Sequence, residues 1–537
     1  MMDVPLSLTN LMRHGTTAYG DSEVVTWTGS GGRRASYTQV GARVAQLANA
    51  LRRLGVTGDQ RVGSFMWNNQ EHLEAYLAVP SMGAVLHTLN IRLFPDQLAY
   101  TANHAEDEVV IVDGSLVPLL ARTLPEMRTV RHVLVVGDAD TSPLEPGGKQ
   151  IHSYEELLAA EPESFDWPEV DERQAAAMCY TTGTTGEPKG VVYSHRSCVL
   201  HSMQVCMGDV TGATDDDRAL PVVPMFHAMA WGMPYSAALV GSSLVMPDRF
   251  LQPEPLAALI ESERPTLAAA VPTIWNGLHE YGRQHGCDFS SLRFVLCGGS
   301  AVPQSLIEGF ERDFGVTIQQ GWGMTETSPV ASVAKPPHTV PHERSMPYRV
   351  SQGRFLSGVR YRLADDEGNA LPHDGKAVGE VEVCGPWVTA SYYKQDAPDR
   401  FDNGWLRTGD VGVIGPKGFL TLTDRAKDVI KSGGEWISSV DLENAIMGHP
   451  DVVEAAVFGV PDEKWQERPL ASVVVREGAT VTPQQLRDLV AEKFAKWQLP
   501  DHWAFVEEVP KTSVGKFDKK VLRQRYADGS LDVTTVK

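Results

Sequence analysis

Cysteine is scarce in this chain. Six stand among 537 residues, Cys179, Cys198, Cys206, Cys287, Cys297 and Cys384, with no CxxC pair and no histidine at metal-ligand spacing. That scatter argues against a zinc site and a disulfide framework, and it suits a reducing cytoplasm. Positive charge is also short: 48 Lys and Arg face 68 Asp and Glu, a formal net charge of −20. A general nucleic-acid binder needs clustered cations to displace counterions, so no nucleic-acid partner is expected. Any anionic ligand must be held by a site that is locally positive within an acidic whole. No apolar run approaches the roughly 18 residues of a membrane span. The opening MMDVPLSLTNLMRHGTTAYGD has no basic start followed by an apolar stretch. Cytoplasmic localisation with no transmembrane segment is the expectation. Repeats of about 20 to 50 residues and low-complexity tracts are missing too.

Hydrophobic residues make up 42% of the chain and charged residues 22%, as in ordinary globular proteins, and the length calls for two or more domains. From Tyr37 to about Leu54, Val40, Val44, Leu47 and Leu51 recur at helical spacing, and Gly55 is a natural stop. A short strand follows at Arg61 to Met66. The alternation returns through VVIVDG (109–114), HVLVVGD (132–138), SSLVMP (242–247) and LRFVLCGG (292–299). This predicts an α/β fold with buried sheets. Near Gly412 the chain becomes glycine-punctuated, GDVGVIGPKGFLTLTDRAKDVIKSGG, which reads as a joint between domains. The boundary falls near Asp424, dividing residues 1–423 from 424–537. Beyond it a helix is expected at about Ser439 to Met447, strands near Val452 to Phe458 and Leu470 to Val475, and a helix from Pro483 to Trp497. Thr482 and Gln485 form a capping box for the last helix. The C-terminal part therefore reads as a small α+β domain.

YTTGTTGEPKG, at 180–190, raises the question of a phosphate loop. It is not a Walker loop, since Gly183 and Gly186 are three apart, Pro188 precedes Lys189, and the apolar GVVYS follows where a helix should begin. The arrangement reads as strand, loop, strand. An anion would be held by backbone N–H groups, by the hydroxyls of Thr181, Thr182, Thr184 and Thr185, and by Lys189. Taken alone, a surface turn stays open. GWGMTETSP (321–329) sets Glu326 beside Thr325, as a Mg²⁺ bridging phosphates requires. GWLRTGD (404–410) ends in an acid suited to ribose hydroxyls, with Arg425 beyond it, and KTSVGKFDKK (511–520) carries Lys516 behind a glycine.

In this order and company, the segments resemble those of the adenylate-forming superfamily of acyl-CoA ligases, luciferases and peptide-synthetase adenylation domains. The resemblance spans about Tyr37 to Arg523. It implies a large N-terminal domain of layered sheets and helices, with a small mobile C-terminal domain closing over a site at its edge. The implied activity is an acid–thiol ligase using ATP, Mg²⁺ and coenzyme A. An acyl-adenylate forms with loss of pyrophosphate, the small domain rotates, and the acyl group passes to the thiol. By resemblance, Thr181, Thr182, Gly183, Thr184, Thr185, Gly186 and Lys189 face the pyrophosphate. Glu326 with Thr181 holds Mg²⁺, and Thr325 touches the α-phosphate. Gly298, Gly299 and Ser300, with Gly321, Trp322, Gly323 and Met324, wall the adenine, and Asp410 and Arg425 fix the ribose. Lys516 bridges carboxylate and α-phosphate, Lys427 is the hinge, and Lys431 matches a lysine that enters the site for thioester formation, or is a solvated side chain.

PMFHAMAWGMPY (224–235) bears on the acid. By resemblance His227 orients the carboxylate, and Trp231 resembles a tryptophan that gates an acyl tunnel; either could instead be packing. Met225, Met229 and Met233 recur every fourth position, as a core helix or as a pliable pocket wall. No Lys or Arg lies between Pro221 and Asp248, so the acid tail is expected to be apolar. The motifs look most like medium- to long-chain fatty-acid–CoA ligases, and ligases for 3-methylthiopropionate or an aryl acid share them. A luciferase-like oxygenase and a free-standing enzyme that loads a carrier protein are the rivals of another class. The expected partners are a small carboxylic acid, ATP and CoA, with a homodimer open.

Overall fold

The computed structural model describes residues 1–181, 187–365, 367–425, 430–432, 435–462, 464–511 and 517–536. Among these, strands gather into three sheets of 15, seven and six strands. In the seven-stranded sheet, Asp107–Asp113 lies between Arg61–Phe65 and His132–Val136, parallel to both. Its Val109, Val110, Ile111 and Val112 are all buried, which is why the segment reads as an unbroken apolar run. The helix Tyr37–Arg53 starts from a Ser36–Gln39 capping box and buries Val40, Val44, Leu47 and Leu51, as their spacing predicts.

One half of the large sheet is parallel. Glu23–Trp27, Ser243–Met246, Arg218–Pro221, Leu267–Ala270, Phe294–Gly298 and Ile318–Gly323 lie side by side in that order. At Ile318–Gly323 the direction changes, because Val330–Val333 returns antiparallel beside it and opens an antiparallel half. Gly298 and Gly321 sit at the carboxyl ends of adjacent parallel strands, paired in register. The carboxyl edge of a parallel sheet at a change of strand order is where α/β folds hold ligands.

The glycine-rich stretch after Gly412 serves two purposes. Trp405–Ile414 and Phe419–Arg425 form a hairpin inside the large sheet, whose turn uses Gly418 at φ +73°. The change of sheet comes next: Phe419–Arg425 belongs to the large sheet and Ile430–Ser432 to the small one. Our division near Asp424 is proposed on that step. The small part carries the helix Ser439–Ile446, the long antiparallel pair Val452–Asp462 and Gln466–Val475, and the helix Pro483–Ala491. The Thr482–Gln485 capping box is present. That helix stops at Ala491, short of the expected Trp497, and a separate turn follows at Lys496–Gln498, where the Gln498 side chain accepts from the Ala495 N–H (3.0 Å).

Candidate active site

Ala175–Tyr180 and Gly190–Ser194 are antiparallel neighbours, so the Thr-rich segment does join strand to strand. Its two described ends are tied to each other. The Thr181 N–H donates to the Lys189 carbonyl (2.9 Å), and the Lys189 N–H donates to Thr181 Oγ1 (3.2 Å). Thr182, Gly183, Thr184, Thr185 and Gly186 lie outside the described residues. Lys189 Nζ sits 4.8 Å from the centre of the Tyr392 ring, a cation–π contact that carries its charge toward Glu326.

Glu326 occupies a short turn, Thr325–Thr327, directly after the strand Ile318–Gly323. The chain can reverse there only because Gly323 lacks a side chain; a Cβ would run into the Pro329 carbonyl. Thr325 and Glu326 are buried. The Thr325 carbonyl accepts from the Tyr193 hydroxyl (2.7 Å), and the Glu326 carbonyl accepts from the Thr389 N–H (2.8 Å). On the side chain, Tyr392 donates its hydroxyl to Glu326 Oε1 (2.6 Å), and Arg400 Nη2 stands 4.0 Å from the same oxygen. Burial first, and then the Glu326 charge, push the Tyr392 phenol well above its usual range, so it remains a donor. Tyr392 thus joins Lys189, Thr181 and Glu326 into one cluster.

Gly298 and Gly321 approach so closely that a Cβ on Gly298 would lie 2.7 Å from the Gly321 carbonyl oxygen. Gly299 has φ +87°, and it and Ser300 are exposed. Gly321, Gly323 and Met324 are half-buried, while Trp322 is turned inward. Its indole N–H donates to Asp410 Oδ2 (2.8 Å), and its ring meets Phe355 edge-on. The Asp410 N–H is held in turn by Thr408 Oγ1 (3.1 Å). Asp410 lies directly opposite Arg425 in the hairpin register. Lys431 falls in the strand Ile430–Ser432, opposite Trp436. Lys427 and Lys516 lie outside the described residues.

The methionine spacing does not make one helix. Met225 is anchored in a loop by its N–H to Asn68 Oδ1 (2.8 Å). Ala228, Met229, Ala230 and Trp231 have φ of +43°, +55°, +49° and +56°, and only at Met233 does a right-handed helix, Met233–Val240, begin. Left-handed backbone costs roughly 1–2 kcal/mol for each residue with a Cβ, so this turn is held by its surroundings. Trp231 presses against Gly298, its Cη2 3.3 Å from where a Cβ would stand. The His201 ring lies 2.7 Å from the position of a Cβ on Gly232. Burial pushes the His201 imidazole down to about 3, and its Nε2 accepts from the Val330 N–H (3.1 Å). His227 is half-buried between the buried Phe226 and Ala228, and its N–H donates to the Pro224 carbonyl (3.1 Å). Through Trp231 and Gly298 the 224–235 segment touches the glycine edge of the large sheet.

Tyr392, Arg400, Tyr193 and His201 were not legible as site residues. Tyr392 sits in SYYKQDAPDR, which carries no glycine, and it meets Glu326, 66 positions away. Among the described residues no group of three or more His, Cys, Asp or Glu is arranged to hold a metal. The oxygen donors Glu326 and Thr181 nonetheless fit Mg²⁺, which takes one or two protein ligands when substrate phosphates supply the rest. Among the described residues no helix is long and apolar enough to cross a membrane.

The family described as AMP-binding enzymes matches residues 12–393, and the AMP-binding enzyme C-terminal domain matches 441–516. A long-chain-fatty-acid–CoA ligase of Thermus thermophilus is 47% identical over 534 residues, 98% of this chain and 96% of that protein. A 3-methylmercaptopropionyl-CoA ligase of Ruegeria pomeroyi is 42% identical over 536 residues, 98% of each chain. Among solved structures, an anthranilate CoA ligase in complex with anthranoyl-AMP superposes with a TM-score of 0.89 over 98% of this chain and 99% of that one, at 24% identity, a likeness of fold. The chain belongs to the AMP-binding, adenylate-forming enzymes, in their acid–CoA ligase branch.

Proposed function

We propose that this ligase activates a medium- to long-chain fatty acid with ATP and Mg²⁺ in the cytosol. The acyl-adenylate it forms gives up its acyl group to CoA, with release of AMP and pyrophosphate. Attack of a carboxylate on the α-phosphorus brings two anions together, so fixed donors and cations must offset the developing charge. In this reading the Thr181 hydroxyl and the Lys189 ammonium face the departing pyrophosphate. Glu326, oriented by Tyr392, holds Mg²⁺, which when bound supplies positive charge beside the phosphate oxygens. Thr325 contacts the α-phosphate, and Gly298 to Ser300 and Gly321 to Met324 border the adenine. Asp410, braced by the Trp322 indole, accepts from the ribose hydroxyls, and Arg425 donates to the ribose. His227 orients the acid, and Lys516 bridges carboxylate and phosphate. For the second step we assign Lys427 as the pivot and Lys431 as the lysine that replaces Lys516.

The observation that carries the acid assignment is the wall itself. Met225, Phe226, Ala228, Met229, Ala230 and Trp231 are all buried, no cation lies between Pro221 and Asp248, and Trp231 stands against Gly298, which in this reading borders the adenine. A second reading, a short thioether acid, is favoured by the depth at which Trp231 is packed, since a short tail would leave it in place. CoA-thioester formation followed by mass spectrometry, across acids from acetate to oleate plus 3-methylthiopropionate and benzoate, tests the assignment. The expected maximum lies at medium or long chains, and a maximum at 3-methylthiopropionate or benzoate overturns it.

A further inference from the structure

Outside every motif described above, the helix Pro95–Ala105 reaches both ends of the Thr-rich segment. His104 Nδ1 shares a hydrogen bond with the Tyr180 hydroxyl (2.7 Å), and Tyr180 is the last residue before Thr181. One helical turn earlier, Tyr100 lies close to the carboxylate of Glu187, two residues before Lys189: burial first, and then the Glu187 charge, raise its phenol above the usual range. Tyr100 and His104 stack on each other, with centroids 5.4 Å apart and planes at 15°. Tyr180 lies over Gly190, where a Cβ would come within 3.1 Å of its ring. Tyr393 closes the other side: its N–H donates to the Gly190 carbonyl (2.9 Å), and its ring meets His104 edge-on. Tyr180 packs with Val85, Ala105 and Met178, against Tyr100 and Tyr393, in a small apolar cluster of its own. Glu106, which ends the helix, pairs with Lys394 (2.7 Å) and Arg61 (2.6 Å).

We propose that Tyr100 and His104 are positioning residues for ATP, clamping the two ends of the 181–189 segment so that the Thr181 hydroxyl and the Lys189 ammonium face one ligand. The chemistry follows from the His104–Tyr180 bond, from the stacking of Tyr100 on His104 and from the Glu187 charge beside Tyr100. Tyr180 and Glu187 flank the pair that must act together, and the stacked rings fix their separation from outside the site. Adjacent Tyr393 and Tyr392 extend the clamp to Glu326, so the three groups assigned to the phosphates share one support.

The inference rests on the reading that this segment holds the phosphates of ATP, and Lys189→Met serves as the control for that reading. Steady-state kinetics with ATP and acid varied separately are compared for the parent enzyme, Tyr100→Phe, His104→Phe, His104→Asn and Lys189→Met. Loss of either clamp contact is expected to raise KM for ATP about 3- to 10-fold with KM for the acid and kcat within about twofold. His104→Asn, which keeps an acceptor near Nδ1, should recover part of the loss. Tyr100→Phe removes a single hydroxyl and keeps the stacked ring, so the test holds even if His104→Phe misfolds. If Lys189→Met raises KM for ATP and Tyr100→Phe and His104→Phe do not, the clamp is wrong and the phosphate reading stands. If Lys189→Met also leaves KM for ATP unchanged, the phosphate reading falls and the clamp with it.

Discussion

A carboxylate buried as deeply as Glu326 needs compensation, and among the described residues a hydroxyl and a distant guanidinium contribute to it. Tyr392 fixes Oε1 at 2.6 Å, and Arg400 adds charge at 4.0 Å. If Glu326 holds Mg²⁺, the carboxylate charge matters more than the tyrosine that aims it. Glu326→Gln should lower kcat by roughly 100-fold or more and Tyr392→Phe by about 10-fold, as for loss of a charged group and of one orienting bond. The Mg²⁺ concentration at half-maximal rate should rise in both, and more in Glu326→Gln. An unchanged Mg²⁺ dependence in Glu326→Gln would return that residue to a structural role. Glu326 and Thr181 could be picked out from sequence because glycines, hydroxyls and an acid crowd into a few positions. Tyr392 and His201 could not, since each acts on a partner set by the tertiary fold.

The turn from Ala228 to Gly232 shows where pattern reading fails at the scale of an element. Buried strands such as Asp107–Asp113 announce themselves by unbroken apolar runs, and capped helices such as Tyr37–Arg53 by their first residues. Methionine at every fourth position imitates a helix, yet the backbone is left-handed through four residues that carry a Cβ. Nothing local specifies that. Its neighbours come from elsewhere in the chain: His201 lies behind Gly232 and Gly298 under Trp231. Strain of this kind, held by surrounding contacts, marks sites where a side chain must stand in one place. Trp231→Ala should therefore shift the chain-length profile, with the optimum acid changing by two or more carbons, while KM for ATP stays within about twofold. An acid profile identical to the parent's would make Trp231 plain packing.

At the scale of the whole molecule, polar contacts among the described residues join the large and small parts. Ser438 Oγ donates to the Thr423 carbonyl (2.6 Å), and Arg476 pairs with Glu280 (3.0 Å) between exposed side chains. Exposed pairs of this kind contribute about 0–1 kcal/mol, which suits the alternation proposed for the two parts. In our reading the small part turns at Lys427, so Lys427→Pro, which fixes φ, should leave adenylation intact and slow acyl transfer to CoA by roughly 10-fold or more. Lys516→Ala should do the reverse. Equal loss of both half-reactions in either variant would refute the division of labour. The two-domain outline was legible from the shift in texture near Gly412, while the hairpin that this stretch builds within the large sheet was not, because its pairing partners lie elsewhere in the chain.

The account stands most directly on pyrophosphate exchange into ATP, measured without CoA. It predicts exchange that requires both Mg²⁺ and a fatty acid, proceeds in Lys427→Pro and is lost in Lys516→Ala. Exchange that needs CoA, or turnover that yields ADP and phosphate instead of AMP and pyrophosphate, would contradict it.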